Sequence, residues 1–343
     1  MSHKVSIIIP ARNEEAFIIK TLESIMAQDY PNHLLEVIIA DGESNDRTCE
    51  LIKGYIKNHS NVVLINNPER VVPYALNYAI EKSTGDVIVR LDAHSKYPVN
   101  YVSRLVEELI RLKADNVGGV WVTTPVNNGL IANAIALATS HPLGIGNASY
   151  RLENKKVKEV DTVPFGCFTR EVFDRIGLFD TDLIRNQDDE FNGRIIKNGG
   201  KIYLIPDVEI EYYARGSIFK MTKMFYQYGL FKPLVNLKLG SPATARQFIP
   251  PLFVIFLLLG SIMFVVPWYL NYVWFALLAV YLIVTILVSV SISLRKGRFG
   301  LVWILPFVFP LIHISYGIGY LEGLLLVNVL NKKPGGANFS TSR

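Results

Sequence analysis

Acidic residues occur in three separate segments of the chain where they could take part in group-transfer chemistry. Asp41 opens DGESNDRT, Asp92 lies in RLDAH, and Asp188 and Asp189 lie in RNQDDEFNGR, residues 185–194. Two carboxylates that share one site repel each other unless a cation or several hydrogen-bond donors bind between them. A nucleoside diphosphate with its Mg²⁺ or Mn²⁺ provides both, and a further carboxylate could take the proton of an attacking hydroxyl. The segments together therefore indicate a nucleotide site with a general base.

Each acidic segment also has a purely structural explanation. Ser44 or Asp46 could cap the helix that follows the second strand. Asp188, Asp189 and Glu190 could open a helix whose N-terminal dipole favours acidic side chains. Taken singly, each segment fits the structural explanation better, so the chemical interpretation depends on the segments meeting in space.

The elements that must position these residues follow from hydrophobic periodicity. Apolar runs predict strands at 5–9, 36–40, 62–65 and 86–91, and helical periodicity predicts helices at 15–28, 46–58 and 73–82. This alternation predicts a parallel sheet covered by helices on both faces, whose ligands bind at the carboxyl ends of the strands. Asp41 and Asp92 directly follow two of these strands. Helices at 170–176 and 189–198 and a strand at 201–205 are also predicted.

Charge is distributed unevenly along the 343 residues, whose mean hydropathy is +0.27. Residues 248–343 contain one acidic and six basic residues and so account for the whole net charge of +5. Because this excess accompanies long apolar segments, anionic lipid headgroups are the expected counter-charge, and nucleic acid is excluded as a partner. Cys49 and Cys167 are far apart and predict neither a disulfide nor a zinc site.

A membrane region is predicted at the C-terminal end, because no charged residue occurs between Arg246 and Arg295. Residues 1–245 are expected to form one cytoplasmic α/β domain, since the start has no signal-peptide pattern. Residues 246–331 form the transmembrane region, and 332–343 form a flexible tail. The predicted spans are 248–268, 272–294 and 299–329.

The expected localisation is the inner (cell) membrane, as a multi-pass protein. The basic turn 295–298 should face the cytoplasm, although three full crossings would place Lys332 and Lys333 outside, against the charge bias. The small-residue segment 127–150 is interpreted as a helix and loop that either covers the site or rests on the membrane surface.

Three motifs resemble glycosyltransferase family 2. They are VSIIIPARNEE (5–15), NYAIEKSTGDVIVRLDAH (77–94) and QDDEFNGR (187–194). The resemblance implies the GT-A fold: an α/β, Rossmann-like, mainly parallel sheet with flanking helices, here followed by a C-terminal α-helical transmembrane region. It also implies a glycosyltransferase that uses a nucleotide-sugar donor.

The resemblance assigns residues to the donor site. RLDAH matches the segment that carries the family's DXD metal motif, so Asp92 corresponds to its first acid and His94 stands at the place of its last. Histidine can ligate Mn²⁺ or donate to phosphate, which leaves the second protein ligand of the divalent ion open. The residues implied to bind the nucleotide sugar are Pro10, Ala11, Glu14, Asp41, Arg90 and Asp92.

The resemblance also assigns the catalytic and acceptor residues. Asp188 takes the position of the catalytic base, and Asp189 replaces it if the alignment shifts by one residue. Gly166, in VPFGCF, corresponds to the acceptor side. Gln227 stands at the Gln of the processive synthases' Gln-x-x-Arg-Trp motif, but its Arg and Trp are replaced here. Single transfer is therefore expected rather than polymer extrusion.

Within the family, the segments RLDAHSKYP, ATSHPLGIGNASYR and RNQDDEFN resemble membrane glucosyltransferases of the succinoglycan-biosynthesis ExoA type. That resemblance implies a UDP-sugar such as UDP-glucose, a lipid-linked saccharide acceptor, and a role in exopolysaccharide or cell-surface glycan synthesis. The alternatives are transfer to a polyprenyl phosphate, a processive polysaccharide synthase, and a membrane scaffold that binds nucleotide without catalysis.

Overall fold

The computed structural model describes residues 3–151, 156–242, 244–260 and 268–335. The chain divides into two compact units that interleave along the sequence. The first unit, called the sheet unit, comprises Met1–Val122 and Glu153–Tyr212; the second, called the helical unit, comprises Thr123–Leu152 and Tyr213–Arg343. The predicted division at residue 245 remains a prediction about domains.

The strands form one eight-stranded sheet among the described residues, with the order β3-β2-β1-β4-β7-β5-β8-β6. Their bounds are β1 Val5–Ala11, β2 Leu35–Asp41, β3 Val62–Asn66, β4 Val87–Arg90, β5 Asn116–Thr124, β6 Lys158–Glu159, β7 Cys167–Thr169 and β8 Ile202–Tyr213. The helices are α1 Ile18–Met26, α2 Thr48–Ile56, α3 Val72–Lys82, α4 Tyr101–Arg111, α5 Leu130–Ala138, α6 Pro142–Ile145, α7 Arg170–Ile176, α8 Gln187–Lys197, α9 Ile218–Leu239, α10 Ile249–Leu259, α11 Trp268–Lys296 and α12 Leu301–Leu324.

The first four strands are parallel, as predicted. Strand β1 lies between β2 and β4, and Ile8 pairs in register with both Ile38 and Arg90. Apolar side chains are buried along this strand because helices cover both faces of such a sheet. The carboxyl ends of β1, β2 and β4 therefore lie side by side at one edge.

Strand β7 departs from the simple alternation, because it runs antiparallel to both β4 and β5. It leads into α7 and then α8, which pack together through four phenylalanine rings. Phe191 of α8 is fully buried and its ring lies 4.4 Å from that of Phe179 and 5.1 Å from that of Phe173. Asn192 also donates to Thr162 and accepts from Asn116. These contacts fix the N-terminal turn of α8 against the sheet.

The helical unit contains α5, α6 and α9 to α12. Its core joins α5, α9 and α12 through buried side chains such as Ile135, Met221 and Phe309. Helices α9 and α12 cross closely. A Cβ on Gly229 would lie 2.0 Å from the backbone carbonyl oxygen of Tyr316, and a Cβ on Gly319 would lie 2.1 Å from that of Tyr226. Glycine is required at both positions, because any side chain would separate the two backbones.

Two described helices are long and apolar enough to cross a membrane, Asn271–Lys296 and Leu301–Val329. They coincide with the predicted segments 272–294 and 299–329. The predicted segment 248–268 begins as α10 but includes 261–267, which lie outside the described residues, as do 336–343 of the predicted tail. The number of crossings remains a prediction. Segment 127–150 forms α5 and α6 and belongs to the helical unit.

Candidate active site

The carboxyl ends of β1 and β2 are joined by a network of hydrogen bonds. Asp41, buried and paired in register with Ala11, accepts bonds from the backbone N–H of Ser44 at 2.9 Å and from its hydroxyl at 2.6 Å. The same hydroxyl accepts from the backbone N–H of Asn13 at 2.9 Å. Asp41 therefore organises the loop after β2 and, through Ser44, the loop after β1.

The loop after β1 then reaches the metal-motif segment. Glu14 donates its backbone N–H to the Thr48 hydroxyl at 2.7 Å, and its buried carboxylate lies 3.2 Å from Nδ1 of His94. The other ring nitrogen of His94 lies 3.8 Å from the carboxylate of Asp92. Glu14, His94 and Asp92 thus form a continuous row at the sheet edge.

Arg90 extends this row to α8. Its guanidinium forms an ion pair with Oδ1 of Asp188 and lies 3.6 Å from Oδ1 of Asp92. The Arg90 side chain is only 5% exposed, whereas that of Asp188 is 34% exposed and that of Asp92 is 21% exposed. The two carboxylates can therefore meet a ligand while the arginine between them stays covered.

Burial raises the pKa of Asp188 to about 6, and the nearby charges of Asp92 and Asp189 act in the same direction. The guanidinium of Arg90 opposes this rise. A carboxyl with a pKa near 6 is a stronger base than an ordinary aspartate and is still ionised at neutral pH. The pKa of Asp188 therefore suits a general base.

Backbone contacts hold this region rigid. The Asp92 N–H donates to the hydroxyl of Tyr97 at 2.8 Å, and the Arg90 N–H donates to the carbonyl of Gly166 at 3.0 Å. Gly166 has no room for a side chain, since a Cβ there would lie 2.3 Å from both Oδ1 of Asn116 and the Phe168 ring. Packing alone thus explains the glycine at position 166. The acceptor-side role expected for Gly166 remains a prediction.

The sequence of the chain matches a known family. The sequence model of Glycosyl transferase family 2 aligns with residues 6–177, half of the chain. The chain belongs to glycosyl transferase family 2.

Two relatives extend the match of this family 2 glycosyltransferase. The dolichyl N-acetyl-alpha-D-glucosaminyl phosphate 3-beta-D-2,3-diacetamido-2,3-dideoxy-beta-D-glucuronosyltransferase of Methanococcus voltae is 32% identical over 332 residues, covering 94% of this chain and 98% of that one. The succinoglycan biosynthesis protein ExoA of Rhizobium meliloti is 28% identical over 264 residues, covering 76% of this chain and 78% of that one.

Solved structures share the fold of this family 2 glycosyltransferase. The mannosyltransferase PcManGT of Pyrobaculum calidifontis, in complex with GDP-Man and Mn²⁺, gives a TM-score of 0.60 at 20% identity and covers 94% of this chain and 88% of that one. S. aureus TarS 1–349 in complex with UDP-GlcNAc gives 0.52 at 16% identity, covering 74% and 71%. At these identities the likeness establishes the fold, and the predicted GT-A class is confirmed.

The predicted site residues of this family 2 glycosyltransferase are mostly close together. The donor-site residues predicted between Pro10 and Asp92 lie on or after β1, β2 and β4. Asp188 and Asp189 lie in the first turn of α8, which begins one residue after the left-handed Asn186. Gln227 is buried in α9, within the helical unit. The catalytic and ligand roles of these residues remain predictions.

Two features of the site were not predicted. The ion pair of Arg90 with Asp188 joins residues 98 positions apart, which no local pattern indicates. Tyr97 bonds both the backbone N–H and the carbonyl of Asp92, yet in sequence it is only a tyrosine before a proline. The buried aromatic cluster of Tyr97, Tyr101 and Phe165 is the structural reason for its position.

Proposed function

We propose that this chain is a membrane-anchored inverting glycosyltransferase that moves a hexose from a UDP-sugar to a lipid-linked saccharide. The observation that carries the proposal is the row of contacts from Asp41 to Asp188, which brings acidic residues from three distant segments to one sheet edge. Both structural alternatives, a cap and a helix dipole, leave that convergence unexplained.

The reaction is a single displacement at the anomeric carbon. Asp188 accepts the proton of the acceptor hydroxyl as its oxygen attacks, the bond to the diphosphate breaks, and UDP leaves with the bonding electrons. One displacement inverts the anomeric configuration, and Asp188 then releases its proton to solvent. A general base of this kind contributes about a hundred- to ten-thousand-fold to the rate.

The donor set at the sheet edge fits a divalent ion, Mn²⁺ or Mg²⁺. Asp92 and His94 offer one carboxylate and one imidazole 3.8 Å apart, both partly exposed. The residues that the structure describes hold no group of three or more His, Cys, Asp or Glu suited to a metal. Such a sparse site fits an ion that takes its other ligands from substrate phosphates. When bound, the ion would neutralise the charge that develops on the leaving diphosphate.

The relatives support a lipid-linked acceptor. Two donor sugars are to be compared, a diacetamido-dideoxyglucuronosyl group and glucose. The name of the Methanococcus voltae relative describes a dolichyl-phosphate-linked N-acetylglucosamine as acceptor and a diacetamido-dideoxyglucuronosyl group as the transferred sugar. The name of the ExoA relative describes succinoglycan biosynthesis, which supports a role in exopolysaccharide synthesis. Glucose is the donor sugar expected from the sequence. The diacetamido-dideoxyglucuronosyl sugar is favoured by the longer match, because the Methanococcus voltae relative aligns with 94% of this chain.

Anchoring in the inner membrane, with catalysis on the cytoplasmic side, rests on the helical unit. Arg295 and Lys296 end α11, and Arg298 lies in the turn that joins this helix to α12. This basic cluster favours a cytoplasmic position for the turn. Leu130 at the start of α5 packs at Gly300, at the end of the same turn, and Leu130 and Ile131 are exposed. These contacts support a position of α5 at the lipid headgroups.

The test is a donor and acceptor screen on the full chain in lipid nanodiscs with Mn²⁺. UDP-glucose, a UDP-diacetamido-uronic acid and GDP-mannose are offered with polyprenyl-diphosphate-linked saccharide, dolichyl-phosphate-linked N-acetylglucosamine or bare polyprenyl phosphate. Mass spectrometry identifies the lipid product, and NMR of the new linkage reports its anomeric configuration. Retention of configuration, or no transfer with any pair, would contradict the proposal.

The catalytic assignment is tested with a matched pair of variants. Asp188→Asn should lower kcat by about a hundredfold or more, while calorimetry finds an unchanged affinity for UDP. Asp189→Asn, one residue away in the same helical turn, should retain most of the activity. The reverse result would make Asp189 the base. An active Asp188→Asn enzyme would favour transfer to a phosphate acceptor, which needs no base.

A further inference from the structure

Resting on the proposed function, we propose that Arg90 is a positioning residue: it fixes the carboxylate of the base Asp188 and separates it from Asp92, and it does not bind the sugar nucleotide. The inference starts from where the arginine lies. It is the last residue of β4, paired in register with Ile8 of β1, and its N–H is bonded to the Gly166 carbonyl on the other side. Its backbone is thus fixed by both neighbouring strands.

The guanidinium is buried and faces other side chains of the chain. Its side chain is 5% exposed, and its carbon lies 5.8 Å from the centre of the Phe165 ring. One terminal nitrogen contacts Asp188 and the other lies 3.6 Å from Asp92. A phosphate-binding arginine would need to present its fork to solvent, whereas this fork faces two side chains of the chain itself.

The remaining donor of Arg90 supports the same interpretation. Within the described residues, its buried Nε–H has no hydrogen-bond partner. The guanidinium is therefore held by its two terminal nitrogens alone, so the contacts with Asp188 and Asp92 determine its position.

The charges explain why an arginine is needed. Two carboxylates at one site repel each other, and each would turn away or take up a proton. A single cation between them balances both, and the planar fork of arginine can hold two partners in fixed directions. Lysine carries the same charge as one point and can contact only one carboxylate well. We therefore expect orientation, rather than charge alone, to be lost in Arg90→Lys.

The experiment compares Arg90→Lys with the control Arg104→Lys in the full chain. Arg104 also forms a network with acids, Glu108 and Asp207, but none of its contacts involves the site. Arg90→Lys should lower kcat by about tenfold or more, with the KM for the donor and the calorimetric Kd for UDP and Mn²⁺ changed less than about twofold. Arg104→Lys should change none of these values.

A second comparison makes the result independent of folding. In the Asp188→Asn background, Arg90→Lys should cause no further loss of kcat, because a positioning residue acts only through the group it positions. A UDP affinity that falls as much as kcat, or a full additional loss in that background, would overturn the proposal. If Arg90→Lys has an unchanged kcat and Asp188→Asn is inactive, only the proposed role of Arg90 is rejected. If Asp188→Asn is active, the assignment of Asp188 as the base is rejected.

Discussion

The pH dependence of turnover should report the ionisation of Asp188 directly. The pKa of Asp188 is raised to about 6, mainly by burial. Asp188 is therefore protonated at a pH about two units higher than an ordinary aspartate. At pH 7 a group with that pKa is about 90% ionised, and at pH 5 about 10% ionised. An aspartate with an unperturbed pKa would still be more than about 90% ionised at pH 5.

The expected result is a tenfold fall in kcat/KM between pH 7 and pH 5, with a slope of one decade per pH unit below about 6. The assay follows UDP release in nanodiscs at saturating donor and low acceptor concentration, so that kcat/KM for the acceptor is measured. Asp188→Glu is the informative variant, because it keeps the carboxylate but changes its reach and surroundings. The activity of Asp188→Glu should be lower than that of the unchanged chain at neutral pH, and it should still fall towards acidic pH, with a shifted midpoint.

The folding stability contributed by Asp188 depends on pH in the opposite direction to the activity. Because the folded pKa of Asp188 lies above its unfolded value, protonation favours the folded state. The stabilising effect of this group is complete below about pH 4 and is lost as the pH rises through about 6. The thermal midpoint should therefore not fall between pH 7 and 5 on account of Asp188. A flat kcat/KM profile down to pH 5 would refute the assignment of Asp188 as the base.

Three further outcomes are expected. Asp92→Asn should weaken UDP binding by about tenfold or more in Mn²⁺ but little in EDTA, as calorimetry in the two buffers can show; equal loss in both would exclude a metal ligand. Gly319→Ala should destabilise the helical unit by about 1–3 kcal/mol in thermal unfolding, because its Cβ would lie 2.1 Å from the backbone carbonyl oxygen of Tyr226. The control Gly54→Ala should not destabilise the protein, because the space around Gly54 is open. Phe191→Ala should cost about 3–5 kcal/mol in denaturant unfolding, and a smaller loss would mean that the site around its ring collapses.

Local patterns in the sequence predicted the parallel half of the sheet well. The runs that became β1 to β4 are short, apolar and bounded by polar turns, so periodicity and length were enough. The edge where Asp41 and Asp92 lie follows from that topology alone. The nearness of Asp188 to that edge does not follow from the topology, because it depends on how α8 packs against the sheet. One such contact is the hydrogen bond between Asn116 and Asn192, 76 positions apart in sequence.

Tertiary contacts decided the elements that were missed. Strand β7 has only the residues Cys167–Thr169 and is defined by its antiparallel pairing with β4 and β5. Helix α9 contains Gly229, whose missing side chain lets the helix pack closely against α12. A propensity scale treats that glycine as a helix-weakening residue, whereas the packing uses its missing side chain.

The membership of α5 in the helical unit sets an order for biosynthesis. Its side chains, including Ala134 and Ile135, are buried in a core with Phe309 of α12, about 170 residues further along the chain. At about 5–20 residues per second, the ribosome exposes α5 on the order of ten seconds or more before that partner exists. The nascent chain must therefore keep an apolar helix from aggregating until α12 has been synthesised, so the helical core can be completed only near the end of translation.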